Sequence, residues 1–119
     1  MHMEYINLNV WTESRKLTNL IYELTKDYPT AEIFGLTSQM RRSAVSVTSN
    51  IAEGCGRDSS KETIHFLFIA RGSLYELETQ LYISFDQNYL NEEQLTINLN
   101  QVIICKKLLN GFINYYRNK

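Results

Sequence analysis

Helix-breaking residues are scarce in this chain, and their scarcity limits its fold more than any other feature. The 119 residues include a single proline, Pro29, and five glycines. Proline and glycine interrupt regular helices most strongly, and the sequence has no β-branched run with the period-two alternation of a strand. The sequence therefore predicts an all-α protein with long helices.

Apolar residues recur at spacings of three and four along four stretches, which predicts four helices. Their expected ranges are about 9–28, 36–54, 60–88 and 91–117. Hydrophobic residues make up 44% of the chain, enough to build one core without disulfide or metal support. Because the connections are short, we expect an antiparallel up-down-up-down four-helix bundle that forms a single domain over residues 1–119.

Local signals support these boundaries, since helices begin and end at characteristic residues. Proline restricts the residue before it and ends a helix, glycine favours a helix C-terminus, and a capping box opens a helix. The signals are the Tyr28-Pro29 stop, the Gly54-Cys55-Gly56 cap, and the boxes Ser59-x-x-Glu62 and Asn91-x-x-Gln94.

The periodicity also predicts which face of each helix is buried. The inner face of the first helix comprises Val10, Ser14, Leu17, Ile21, Leu24 and Tyr28, and that of the second comprises Met40, Ala44, Val47 and Ile51. The third helix has a broader arc, with Ile64, Leu67, Phe68, Leu74, Leu77, Leu81, Tyr82 and Phe85. An arc this wide must be covered on more than one side, so we expect two neighbouring helices and another subunit to contact it.

Charge and cysteine usage limit the cellular context. Twelve basic residues against 13 acidic residues give a net charge of -1, which disfavours strong non-specific binding to nucleic acid. Cys55 and Cys105 are far apart in sequence and are expected to be reduced thiols. No export signal or membrane-length apolar run is present, so we expect a cytoplasmic protein that does not contact membranes.

The usual signatures of catalysis are missing, because the sequence has no Walker loop, no Gly-x-Ser-x-Gly elbow and no His-Glu-x-x-His motif. His2 lies in a terminus expected to be frayed, and His65 has no second imidazole with which to share a metal. Neighbouring carboxylates one or two residues apart do not face each other on a helix. We therefore expect no catalytic residue, cofactor, metal or small-molecule substrate. An enzyme of unfamiliar type would require a cleft with perturbed ionisable groups.

Two charged residues, Arg71 and Glu78, fall within the apolar arc of the third helix. They lie two turns apart on one face, so each requires a polar partner if it is buried. We expect a structural or interface polar network between the second and third helices. The candidate partners on the second helix are Arg41, Arg42, Asn50 and Glu53. The alternative is that both charged groups extend past their apolar stems into water.

Basic residues in two regions are candidate nucleic-acid contacts. They are Arg57, Lys61, Lys106, Lys107, Arg117 and Lys119. Assembly of several copies would have to gather them onto one surface, because the total charge is near neutral. The structural alternative is that cations near the end of the last helix stabilise it through its dipole, by about 0.3–1 kcal/mol each.

Two long blocks resemble a known family. They are GLTSQMRRSAVSVTSNIAEG at 35–54 and FLFIARGSLYELETQL at 66–81. Trp11, Tyr28-Pro29 and the segment that begins at Leu108 match the same family. The blocks resemble four-helix-bundle proteins encoded in intervening sequences of bacterial 23S rRNA genes. The resemblance implies a ring-like homopentamer without enzyme activity, in a family sometimes grouped with ribosomal proteins although a ribosomal role is not established.

The family is also similar to the accessory variability protein of diversity-generating retroelements. That protein is a basic pentamer that acts with a reverse transcriptase and nucleic acid, whereas this chain lacks the basic charge. Our first hypothesis is therefore a homo-oligomeric scaffold whose surface recruits an RNA or protein partner. The second is an accessory RNA- or DNA-binding protein acting with an enzyme such as a reverse transcriptase.

Overall fold

The computed structural model describes residues 4–119, so the prediction that His2 lies in a frayed terminus concerns a residue outside the described range. Its helices are α1 (Asn9–Thr25), α2 (Leu36–Cys55), α3 (Ser60–Asp86) and α4 (Glu92–Arg117). Each helix packs against the next, and α4 also packs against α1. The described chain is thus an up-down four-helix bundle of about 46 × 25 × 20 Å, which confirms the predicted fold class. None of its helices combines the length and apolarity needed to cross a bilayer.

The inner faces of α1 and α2 are those that the sequence predicts. All six predicted positions of the first helix and all four of the second are buried, and all of them except the polar Ser14 belong to one apolar core. Tyr28 is buried although α1 ends at Thr25, three residues earlier than predicted. The core is completed by leucines of α3 and by Val102, Leu109 and Ile113 of α4. A spacing of three and four is therefore sufficient to identify the buried side of these two helices.

The predicted arc of α3 is only partly covered by its own chain. Its leucines are buried, but Phe68, Tyr82 and Phe85 are exposed. Within the described residues α3 packs against α2 and α4, which are the two neighbouring helices expected, and contact of the remaining surface with another subunit stays a prediction. Polar residues are also buried on the side that faces α2, where Ser84 Oγ lies 3.4 Å from Met40 Sδ of α2 and donates to the Gln80 carbonyl at 2.8 Å.

Glycines at the end of α2 serve two purposes. Gly56 occupies the C-cap, as expected of the glycine cap, whereas Gly54 lies inside α2 and is buried. A Cβ atom at Gly54 would lie 3.2 Å from the Thr63 carbonyl oxygen and 3.5 Å from Leu67 Cδ2. Thr63 Oγ1 also donates to the Gly54 carbonyl at 2.8 Å. The missing side chain at Gly54 therefore allows α2 and α3 to approach closely.

The predicted helix starts are observed, and α4 has the stronger cap. The Asn91 side chain accepts from the Gln94 amide at 2.8 Å, and the Asn91 amide donates to Gln94 Oε1 at 2.9 Å, which completes a capping box. At α3, Ser59 Oγ accepts from the Glu62 amide at 3.2 Å. The chain turns from α3 to α4 through Asn88, whose φ of 62° is in the left-handed region that asparagine tolerates.

Candidate functional site

Two polar contacts join α3 to α4, and we call their four residues the α3–α4 seam. Arg71 donates to Asn110 Oδ1 at 3.2 Å, and Lys106 Nζ donates to Glu78 Oε2 at 2.7 Å. The predicted pairing of Arg71 and Glu78 with the second helix is therefore wrong. The reason is geometric, because residues seven apart share one side of α3, and that side faces α4.

Cations also lie over aromatic rings along the α3–α4 seam. The guanidinium carbons of Arg71 and Arg117 lie 4.8 and 5.2 Å from the centroid of the Phe68 ring. Lys106 Nζ lies 4.5 Å from the centroid of Tyr75. Such contacts contribute about 0.5–1 kcal/mol at exposed sites, and they fix the direction of long charged side chains. The seam is therefore an ordered surface that combines positive charge with partly exposed rings.

Small hydroxyl-bearing residues occupy the contact between α2 and α3. Ser73 Oγ donates to Ser46 Oγ at 2.9 Å, and Ser43 Oγ donates to Glu76 Oε1 at 3.2 Å. Their short side chains let the two helices pack closely while the hydroxyl groups remain hydrogen-bonded. The side of α3 that faces α2 thus uses serine and Glu76 rather than Arg71 and Glu78.

The predicted network residues of the second helix point in several directions. Arg41 Nε donates to Thr25 Oγ1 of α1 at 2.9 Å. Asn50 Nδ2 donates to the Ser46 carbonyl of its own helix at 2.9 Å, and Glu53 pairs with Arg57. Arg42 is exposed and lines a shallow depression between α2 and α3 with Gln39, Ser43, Ser46, Ser73 and Glu76. The structure therefore does not bring these four residues together with Arg71 and Glu78.

The six candidate nucleic-acid contacts also separate into groups. Arg57, Lys61, Arg117 and Lys119 lie at one end of the bundle, where α2 ends, α3 begins and α4 ends. Arg57 is ordered there by Phe66, with its guanidinium carbon 4.4 Å from the ring centroid. Lys106 is engaged in the α3–α4 seam, and Lys107 lies beside α1. A single chain therefore gathers four of the six, and only assembly would bring the rest together.

Both cysteines are free and buried. Burial raises the pKa of the Cys105 thiol to about 11, and burial also raises the pKa of Cys55. A thiol acts as a nucleophile or metal ligand only as the thiolate, which these shifts disfavour at neutral pH. Among residues 4–119, no group of three or more histidine, cysteine, aspartate and glutamate side chains is placed to hold a metal ion.

The connector between α1 and α2, predicted only as a loop, presents an exposed aromatic side chain. In this connector, residues 26–35, Phe34 is 95% exposed and Ile33 is 53% exposed. Glu32 holds the connector in place, because its carboxylate accepts from the Leu36 amide at 3.0 Å and from the Tyr89 hydroxyl at 2.8 Å. An apolar pair inside a short connector is the sequence signal that could have identified this feature.

A second apolar feature lies at the opposite end of the bundle, between the start of α1 and the last turns of α4. We call it the Gly111 cleft, and it is lined by Leu8, Val10, Leu108, Gly111, Phe112 and Tyr115, with Asn9 and Lys107 at its rim. A Cβ atom at Gly111 would meet no heavy atom within 4 Å. The cleft is thus open above a glycine and flanked by aromatic rings.

Comparison with known proteins assigns the family. The chain matches no curated protein. It is similar to the solved structure of a protein of unknown function from the S23 ribosomal protein family of Bacteroides thetaiotaomicron VPI-5482. The TM-score is 0.78 at 26% identity, and the match covers 87% of this chain and 97% of that one. The model of the 23S rRNA-intervening sequence protein family matches residues 6–111. The chain therefore belongs to the 23S rRNA-intervening sequence protein family.

Proposed function

We propose that this protein is a non-enzymatic scaffold that assembles into a homo-oligomer and recruits an RNA or protein partner on the assembled surface. The outer side of α3 carries this proposal. The exposed surface of this helix includes six large apolar side chains, each exposed by 37–50%: Phe68, Ile69, Tyr75, Tyr82, Ile83 and Phe85. Phe68 and Tyr75 lie towards α4, beneath the cations of Arg71 and Lys106. Large apolar side chains exposed along one helix are typical of protein–protein contacts.

The spacing of these residues supports contact with another helix. Phe68, Tyr75 and Tyr82 are seven residues apart, as are apolar residues along a seam between packed helices. The family resemblance makes a ring of five copies the expected assembly. The raised pKa values of the thiols of Cys55 and Cys105 support a role without nucleophilic chemistry. The same free thiols fit a reducing compartment such as the cytoplasm.

The mass of the purified protein in solution tests this proposal. Size exclusion coupled to light scattering should give about five times the chain mass of 13.9 kDa. The measurement should be repeated with added RNA: an unchanged mass would favour the scaffold, and an RNA-dependent increase would favour an accessory nucleic-acid-binding role. A particle of 13.9 kDa at all concentrations would contradict the proposal.

The ordered cations in and beside the α3–α4 seam favour a second candidate function, that of an accessory nucleic-acid-binding protein acting with an enzyme such as a reverse transcriptase. Arg71, Arg117 and Lys106 lie beside partly exposed rings, and single-stranded nucleic acids bind to surfaces that combine cations with aromatic side chains. Assembly would have to add the neighbouring Lys107 to this surface.

A salt-dependent RNA mobility shift tests the second candidate. The shift should vanish in the double variant Lys106→Glu and Lys107→Glu, because binding to phosphates depends on positive charge and falls with salt. Lys26→Glu is the control, since Lys26 is an exposed lysine at the C-cap of α1, away from the middle of α4 where Lys106 and Lys107 lie, and its replacement should leave the shift intact. Absence of binding even at low salt would exclude this function.

A further inference from the structure

Phe34 is exposed on a rigid connector. Besides the two hydrogen bonds accepted by the Glu32 carboxylate, the Gly35 amide donates to the Glu32 carbonyl at 2.9 Å. Tyr89, which binds Glu32, also packs against Tyr28 with ring centroids 5.3 Å apart. The position of Phe34 is therefore fixed before any partner binds, and a preorganised exposed aromatic side chain is the usual anchor of a protein interface.

The Gly111 cleft offers the complementary shape. A glycine in the interior of a helix destabilises it relative to alanine, and nothing within the described chain occupies the space above Gly111. The ring of Tyr115 is half exposed beside it, and the neighbouring ring of Phe112 is partly buried. An aromatic side chain from another molecule would fill the gap over the glycine and contact both rings.

Charge complementarity favours a second copy of this chain as the molecule that occupies the Gly111 cleft. The end that bears Phe34 is acidic, since residues 26–35 and 86–93 carry five carboxylates and one lysine. The other end is near neutral, since residues 4–8, 56–62 and 115–119 carry four cations and three carboxylates and Arg57 pairs with Glu53. The cleft itself is lined by the exposed Lys107. The acidic end of one molecule is therefore complementary to the positive charge at the cleft of another.

We propose that Phe34 of one copy inserts into the Gly111 cleft of the next copy. This inference depends on the proposed homo-oligomer and specifies an end-to-end contact that the assembly requires in addition to the exposed surface of α3. Because Phe34 and the cleft lie at opposite ends of a bundle about 46 Å long, the contact is heterologous. Each copy donates one Phe34 and provides one cleft, so repetition of the contact closes a ring when the rotation between copies allows it.

Two single variants test the contact, and neither replaces a residue that the chain needs for folding. Phe34→Ser removes an exposed side chain, and Gly111→Leu fills open space on the exposed side of α4. Light scattering should show that the wild-type oligomer is reduced to 13.9 kDa in each variant, with unchanged helical content by circular dichroism. The control Ile97→Ser removes an exposed apolar side chain from α4 two heptads away and should retain the wild-type mass.

Mixing the variants gives the sharpest test. Phe34→Ser keeps an intact cleft and Gly111→Leu keeps an intact Phe34, so an equimolar mixture should form one native contact and a particle of twice 13.9 kDa. A mixture that remains at 13.9 kDa would overturn the pairing of Phe34 with the cleft. Retention of the wild-type mass by either variant alone would overturn it as well, while the proposed homo-oligomer would stand. A wild-type protein of 13.9 kDa would overturn both.

Discussion

Individual glycines have opposite effects on this bundle because their surroundings differ. Gly54 faces backbone atoms of α3, and a carbonyl oxygen 3.2 Å from a new Cβ cannot move without shifting that helix. Gly72 lies on the exposed side of α3, where a Cβ would meet no heavy atom within 4 Å. The same substitution should therefore change stability in opposite directions at the two positions.

We predict that Gly54→Ala lowers the free energy of unfolding by about 1–3 kcal/mol, because the crowding outweighs the gain in helix propensity. Gly72→Ala should raise the free energy of unfolding by up to about 1 kcal/mol, since only the propensity changes. Urea denaturation of both variants measures the two effects. A stabilised Gly54→Ala variant would show that the close approach of α2 and α3 at Gly54 leaves room for a Cβ atom.

The Glu32 carboxylate links stability to pH. The hydrogen bond from the Leu36 amide, with a smaller contribution from the Tyr89 hydroxyl, lowers the pKa of Glu32 in the folded state. The folded state therefore favours the ionised carboxylate more than the unfolded chain does. The resulting stability is present above the unfolded pKa of about 4.3 and is lost as the pH falls through the lower folded value.

Glu32→Gln should accordingly be less stable than the wild type at about pH 7, and the difference in thermal midpoint should narrow as the pH falls towards about 3. Thermal unfolding followed by circular dichroism across this range measures the change. Glu93→Gln replaces an exposed carboxylate at the same end of the bundle and should change the pH profile much less. A difference that is independent of pH would contradict the role assigned to the ionised Glu32.

At the level of helices, α3 organises the bundle by presenting a different chemistry to each neighbour. Towards α2 it presents Ser73 and Glu76, which accompany close packing, and towards α4 it presents the longer side chains of Arg71 and Glu78. The side between them contains the buried leucines, and the fourth side is exposed. A helix of this kind fixes the order of its neighbours around it.

The Lys106–Glu78 contact should contribute to the packing of α3 on α4. The two side chains are only 22% and 23% exposed, whereas those of Lys26 and Glu23 within α1 and its C-cap are 64% and 75% exposed. A double-mutant cycle with Glu78→Gln and Lys106→Met should give a coupling energy of about 1 kcal/mol. The same cycle at Glu23 and Lys26 should give a coupling energy of about 0.3 kcal/mol. Equal coupling energies would show that burial does not strengthen the inter-helix pair.

At the scale of the whole molecule, assembly should appear in thermal stability as well as in mass. If only folded chains associate, association stabilises the folded state by mass action. We predict that the thermal midpoint of the wild type rises by several degrees over about a hundredfold increase in protein concentration. The midpoint of Phe34→Ser should be independent of concentration, while Ile97→Ser should behave as the wild type. A concentration-independent midpoint in the wild type would contradict assembly of folded chains.

The sequence by itself determined the helices and the inner sides of α1 and α2, because caps and apolar spacing act over a few residues. Only the tertiary structure decided that Arg71 and Glu78 contact α4, since helical periodicity gives the direction of a side chain but not which helix lies there. It likewise decided that Phe34 is exposed and that Gly54 faces a carbonyl of α3. These features depend on atoms from segments distant in sequence, whose placement follows from packing the whole core.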